Sequence, residues 1–282
     1  MSLFEGFDEA IAGFLGLPEG QHLGQRITAL GLNDLSRPPA DFEGLLCDLY
    51  RLLAENRTGR APSKENWRTT LQTQLNPANA DPEILLERAV ALLAKRGLLR
   101  GWANQVPVAS GLVDHKDDRR AAIDLVYLGP NEARFVELKW ASDNPVYAAF
   151  ELLRYGLVYV YSRVRKEEMG YGDRLLMKPE RVFLFVLAPP PFYRGYALEG
   201  LRKGLDQGIR ALAERELGSG LNMSFSFLAF PEGFAHPFAT GEEVLRACAG
   251  EELSSDVHLS TAAHSVLLAL GRLAPLGGMP PP

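Results

Sequence analysis

Cysteine is scarce in this 282-residue chain: there are two, Cys47 and Cys248, far apart in sequence. They form neither a CxxC redox element nor a metal-ligand spacing, which excludes a disulfide scaffold and fits a reducing compartment. The five histidines include no HExxH or HxH arrangement, so no metal role is assigned to them. Long apolar runs are also lacking. A membrane span needs about 18 consecutive apolar residues, and the nearest run, 182–191, is short and ends in three prolines. The opening MSLFEGFDEAIAGFLGL carries acids where a secretory signal needs a basic segment. A cytoplasmic protein with no membrane partner is therefore expected. A basic surplus is missing too: 30 Lys and Arg against 35 Asp and Glu give a net charge of −5. That weakens broad attraction to nucleic acid but leaves room for a local basic groove. No Walker loop, GxGxxG or GxSxG element occurs.

What is present reads as an ordinary globular chain, 46% apolar and 23% charged, long enough to bury a sizeable core. Residues 1–80 pattern as helices (4–15, closed by Gly16 and Pro18, and 42–56) joined by proline- and glycine-punctuated linkers. From Asp81 the signals sharpen. DPEILLERAVALLAKRG has an Asp N-cap, a Pro at the first helical position and a Gly stop. Strands are expected at 105–109, 121–128 and 133–140, the last two joined as a hairpin through Gly-Pro-Asn-Glu. A helix at 145–165, a strand at 181–188, a helix at 197–217 and a strand at 223–230 follow. This mixture predicts an α/β fold around a mixed sheet with at least one crossover. Three regions result: a helical 1–80, an α/β core at 81–232 and a helical 233–282. The last includes helices at 242–249 and 261–273 and a frayed GGMPPP tail.

The informative segment is AAIDLVYLGPNEARFVELKW. Alternation along a strand puts Glu137 and Lys139 on one face and Val136, Leu138 and Trp140 on the other. Asp124 lies midway along the preceding strand, and pairing through the short turn brings it to Glu137. Charges inside apolar strands are costly unless they are paired or bind a cation. Asp124 and Glu137 suit a hard divalent ion such as Mg²⁺ or Mn²⁺, with the Leu138 carbonyl as a third oxygen. Lys139 would orient the attacking water and offset charge growing on a phosphate.

These residues resemble the PD-(D/E)xK nuclease superfamily over roughly residues 81–230. Ile123-Asp124 stands where that family has Pro-Asp, and Glu137-Leu138-Lys139 matches its (D/E)xK. The resemblance implies a restriction-endonuclease-like core with helical N- and C-terminal extensions. It also implies metal-dependent hydrolysis of DNA phosphodiester bonds, with Asp124, Glu137 and Lys139 catalytic. Because many relatives cut two strands, a homodimer is a candidate assembly. An acidic residue of the preceding helix often completes the family's metal site; Glu87 is the candidate, with Glu83 as competitor. Some branches carry a Gln-x-x-x-Tyr pair on the following helix. Glu151 and Tyr155 occupy that place, one turn apart on a shared face with Ser162.

Simpler readings stand beside these. A salt bridge between neighbouring strands would also account for the charged trio, and a non-catalytic nucleic-acid- or protein-binding module on the same fold is the alternative function. A second acid-x-Lys string, Asp114-His115-Lys116, lies in the polar run DHKDDRR and reads as a solvated loop, with Arg119 and Arg120 as candidate basic contacts. Arg154, Arg163, Arg165 and Lys166 suit a basic helix C-terminus. Tyr147, Tyr159 and Tyr161 read as core before they read as base-stacking platforms.

Overall fold

Helices α1 (Phe7–Leu15), α2 (Leu23–Ala29) and α3 (Phe42–Asn56) form where apolar side chains recur at helical spacing. α1 begins later than its apolar pattern does, because Gly6 just before it takes a left-handed φ of 81°. α3 is opened by Asp41, whose carboxylate accepts from the Gly44 N–H at 2.7 Å. The computed structural model describes residues 2–18, 22–29, 41–59, 61–113, 121–249 and 259–275. The DHKDDRR run and the GGMPPP tail lie outside the described residues.

α4 (Pro82–Lys95) starts as the sequence specifies. Asp81 Oδ1 accepts from Glu83 N–H at 2.9 Å and from Ile84 N–H at 3.3 Å, Pro82 follows, and Gly97 (φ 75°) lies past the end. Strands β1 (Trp102–Pro107), β2 (Ala122–Leu128) and β3 (Glu132–Leu138) make an antiparallel meander. β1 begins three residues before the expected 105. Its Trp-Ala-Asn-Gln stretch lacks apolar–polar alternation, so periodicity could not find it.

After β3 the chain crosses over through α5 (Pro145–Val164), capped by Asn144, whose side chain accepts from Tyr147 N–H at 2.9 Å. It returns as β4 (Arg181–Ala188), parallel to β3. The short α6 (Pro190–Tyr193) and α7 (Glu199–Leu217) lead to β5 (Asn222–Ala229), parallel to β4. The expected helix from 197 thus starts at Glu199. α8 (Gly241–Cys248), α9 (Thr261–Leu270) and the two-residue β6 (Ala274–Pro275), antiparallel to β5, complete the described chain. The fold is α/β: a five-strand mixed sheet, extended by β6, flanked by helices.

Each sheet face has its own apolar layer. Val126, Ala133 and Phe135 face α5 and α7, and the same core takes in Phe7, Ile27, Leu46 and Leu49 of α1–α3. Leu125, Val136, Leu138 and Phe185 face α4, α8 and α9. Among the described residues, no helix is long and apolar enough to cross a membrane.

Candidate active site

The site grows out of strand register. Leu125 pairs with Val136, so the next step sets Asp124 opposite Glu137. Both extend toward the end of the sheet where β3 stops. Asp124 Oδ2 accepts the backbone N–H of Leu138 at 3.0 Å, which fixes one carboxylate oxygen against the neighbouring strand. Lys139, two residues past Glu137 and on its face, brings Nζ to 2.9 Å from Glu137 Oε1. Its other close partner is Glu151 Oε2 on α5, at 3.0 Å, and Asp143 Oδ2 lies farther off at 3.7 Å.

α4 supplies further carboxylates. Glu87 is buried and accepts from Asn104 Nδ2 at 2.5 Å, from Gln105 Nε2 at 2.9 Å and from its neighbour Arg88. Glu83, one turn earlier, accepts from the Trp140 N–H at 2.8 Å and the Ser142 hydroxyl at 2.5 Å. The two acids share a helix face, but Glu83 secures the turn after Lys139, whereas Glu87 reaches the Gln105–Asp124 contact.

Asp124, Glu137, Lys139, Glu87, Glu151 and Tyr155 all line one cavity of about 250 Å³. Neighbouring cavities of about 840 and 510 Å³ also have Glu151 in their walls, alongside Asp8 from α1. Leu138 joins through its N–H. Ser162, read on the same polar stripe, instead accepts the buried Trp67 indole N–H at 3.1 Å and belongs to the core. Most of the other aromatic and basic residues read from the sequence have partners of their own. Tyr159 donates to the Leu176 carbonyl, Arg163 donates to the Pro179 carbonyl, Arg165 lies over the Tyr161 ring, and Arg154 pairs with Asp8. Tyr147 lines the largest of the three cavities.

Burial dominates the electrostatics. It pushes Asp124 up to about 7, against the opposing pull of Lys139 and the Leu138 N–H. Burial, reinforced by Asp124 and Glu151, lifts Glu137 well above the carboxylate range. Glu87 is raised by burial as well, although Arg88 and the two amides oppose it. For Lys139 burial favours the neutral amine, but Glu137 and Glu151 outweigh it and hold the ammonium protonated. Tyr155 is raised by burial and by Glu137 and Glu151.

Glu87 is matched by Arg88, which leaves, among the described residues, Asp124, Glu137, Glu151 and the more distant Asp143 facing the ammonium of Lys139. Uncompensated buried charge of that sign favours either protons or a cation. Among the described residues no three His, Cys, Asp or Glu side chains are gathered as a ready-made metal cluster. An oxygen-only donor set built on two carboxylates nevertheless fits Mg²⁺ or Mn²⁺, which use one or two protein carboxylates and complete their shells with water and phosphate.

Sequence reasoning missed Asn104 and Gln105. Asn104 is fully buried; its Oδ1 accepts from Gln72 N–H and its Nδ2 donates to Gln72 O and Glu87. Gln105 donates to Glu87 and, at 3.3 Å, to Asp124 Oδ1. The available signal was the adjacent pair of carboxamides in a segment otherwise bound for the sheet interior. No family model, curated protein or solved structure matches this chain.

Proposed function

We propose that this protein is a metal-dependent nuclease that hydrolyses DNA phosphodiester bonds, built on a restriction-endonuclease-like core. The observation that carries the reading is the meeting of Asp124 from β2 with Glu137 and Lys139 at the end of β3, in one cavity where, among the described residues, acid outnumbers base. The succession α4, β1–β3, α5, β4 supports it, being the order the family resemblance implies. The preference for DNA over RNA rests on that resemblance alone.

Asp124 and Glu137 would hold the divalent ion, Mg²⁺ or Mn²⁺. When bound, such an ion supplies Lewis-acid polarisation of the phosphate and a more acidic water. The chain's own contributions follow from position. Leu138 N–H keeps the Asp124 carboxylate oriented, so little reorganisation is needed as charge develops. Lys139, held protonated between Glu137 and Glu151, presents positive charge toward a phosphate entering the cavity and orients the water that attacks it. Glu151 fixes the Lys139 side chain from α5.

Digestion of plasmid and linear DNA with Mg²⁺ or Mn²⁺ tests the proposal, comparing wild type with Asp124→Ala and Lys139→Ala. Cleavage that requires both residues and the metal is the expected result. Activity unchanged in both variants would overturn it. Metal binding at Asp124 and Glu137 without turnover on any nucleic acid would favour the non-catalytic module. The closed ion pairing of Lys139 with Glu137 and Glu151 is compatible with that alternative.

A further inference from the structure

Gln105 breaks the rule of its strand. On an extended strand, residues 104 and 105 present side chains to opposite faces, yet here both carboxamides reach Glu87, Asn104 on Oε1 and Gln105 on Oε2. The cause is a backbone φ of 48° at Gln105, inside β1 and between the ladder pairs Asn104–Leu125 and Val106–Ile123. A left-handed conformation in a residue other than glycine costs about 1–3 kcal/mol and persists only where its surroundings enforce it. What the strain provides is a bridge. The Gln105 Nε2 stands between two carboxylates and donates to both, at 2.9 Å to Glu87 and 3.3 Å to Asp124 Oδ1. Leu138 N–H holds the other Asp124 oxygen. Asp124 is therefore restrained at both oxygens, once by a backbone group and once by Gln105.

We propose that Gln105 is a positioning residue, which anchors the Asp124 carboxylate to Glu87 and so sets Asp124 for divalent-cation binding. This rests on reading the cavity as a cation site. Gln105 needs no contact with substrate; its effect passes through the two acids. Residues that orient metal-binding carboxylates typically matter by about 10- to 100-fold in affinity or activity.

Gln105→Gly removes the amide at a position whose φ glycine adopts freely. Gln105→Asn keeps an amide that tolerates this backbone but is one methylene too short to span both acids. The experiment titrates Mn²⁺ into the full chain, free of DNA, by electron paramagnetic resonance, for wild type, both Gln105 variants and Asp124→Asn. Steady-state DNA cleavage is measured in parallel. The expected result is weaker Mn²⁺ binding by about 10-fold or more in Gln105→Gly, a similar but smaller loss in Gln105→Asn, and a lower kcat with KM for DNA within about twofold. If Asp124→Asn weakens Mn²⁺ binding and neither Gln105 variant does, the positioning role is wrong while the cation site stands. If Asp124→Asn also leaves Mn²⁺ binding unchanged, the cation site falls and the role of Gln105 falls with it. A raised KM with unaltered Mn²⁺ affinity would make Gln105 a substrate contact and overturn the proposal.

Discussion

Lys139 and Glu151 meet across the gap between β3 and α5, Nζ to Oε2 at 3.0 Å. The same ammonium lies 2.9 Å from Glu137 Oε1. The lysine thus occupies one oxygen of a carboxylate proposed to bind metal, and acts there as both its partner and its competitor.

Lys139→Met separates those roles. Removing one member of a buried ion pair costs about 3–5 kcal/mol, so the metal-free variant should melt well below wild type. Mn²⁺ affinity should be kept or tightened, because the competing ammonium is gone, while DNA cleavage falls by about 100-fold or more. Calorimetric Mn²⁺ titration beside a plasmid-nicking assay measures both. Abolished Mn²⁺ binding in a folded Lys139→Met protein would contradict the arrangement.

Stability of the metal-free protein should fall as pH rises. Asp124, pushed up to about 7, and Glu137, lifted well above its usual range, bind protons more tightly folded than unfolded. A raised folded pKa contributes stability that is complete below the unfolded value, near 4, and is lost as pH climbs through the folded one. In chelator, the part of the Tm that depends on Asp124 should therefore decline between pH 5 and pH 8, by about 2–4 °C for each kcal/mol. Asp124→Asn should flatten that decline. Added Mn²⁺ should reverse it, because the ion binds the deprotonated acids. Scanning fluorimetry across this range decides the sign.

Two glycine substitutions should have opposite signs. Gly204 lies on α7 where a Cβ would run into the Phe42 ring of α3. Gly204→Ala gains about 1 kcal/mol of helix propensity but overpacks the interface at a cost of about 1–3 kcal/mol, so destabilisation wins. Gly13 on α1 is exposed, with nothing within 4 Å of its would-be Cβ. Gly13→Ala should stabilise by about 0.5–1 kcal/mol. Urea midpoints of the two variants against wild type test the contrast.

Much of this was legible because it depends on local rules. The Asp81 cap, the β2–β3 hairpin and the facing of Glu137 and Lys139 follow from capping chemistry and a period of two, and Val136 and Leu138 lie in the opposite core as alternation requires. What was not legible depends on pairing across the fold. Glu83 and Glu87 are one turn apart on α4, and only the placement of Trp140 and Gln105 separates their roles. The i, i+4 spacing coupled Glu151 to Tyr155, yet Lys139 takes the Glu151 carboxylate. Gln105 was hidden for a different reason: nothing in a residue type announces a left-handed backbone in mid-strand.

Trp140 follows Lys139 directly, has its N–H on Glu83, and sits half-buried among Phe230, Phe234 and His236, with ring centroids 4.8–6.0 Å away. Trp67, by contrast, is buried against Phe135 and Tyr159, away from the cavity wall. The protein therefore carries its own optical reporter: Trp140 is joined through its backbone N–H to Glu83 of the cavity wall, Trp67 is sealed in the core, and the third tryptophan, Trp102, lies against Tyr127. Mg²⁺ binding should change the emission of wild type and leave Trp140→Phe unchanged, so occupancy can be followed in the unlabelled chain without waiting for a product.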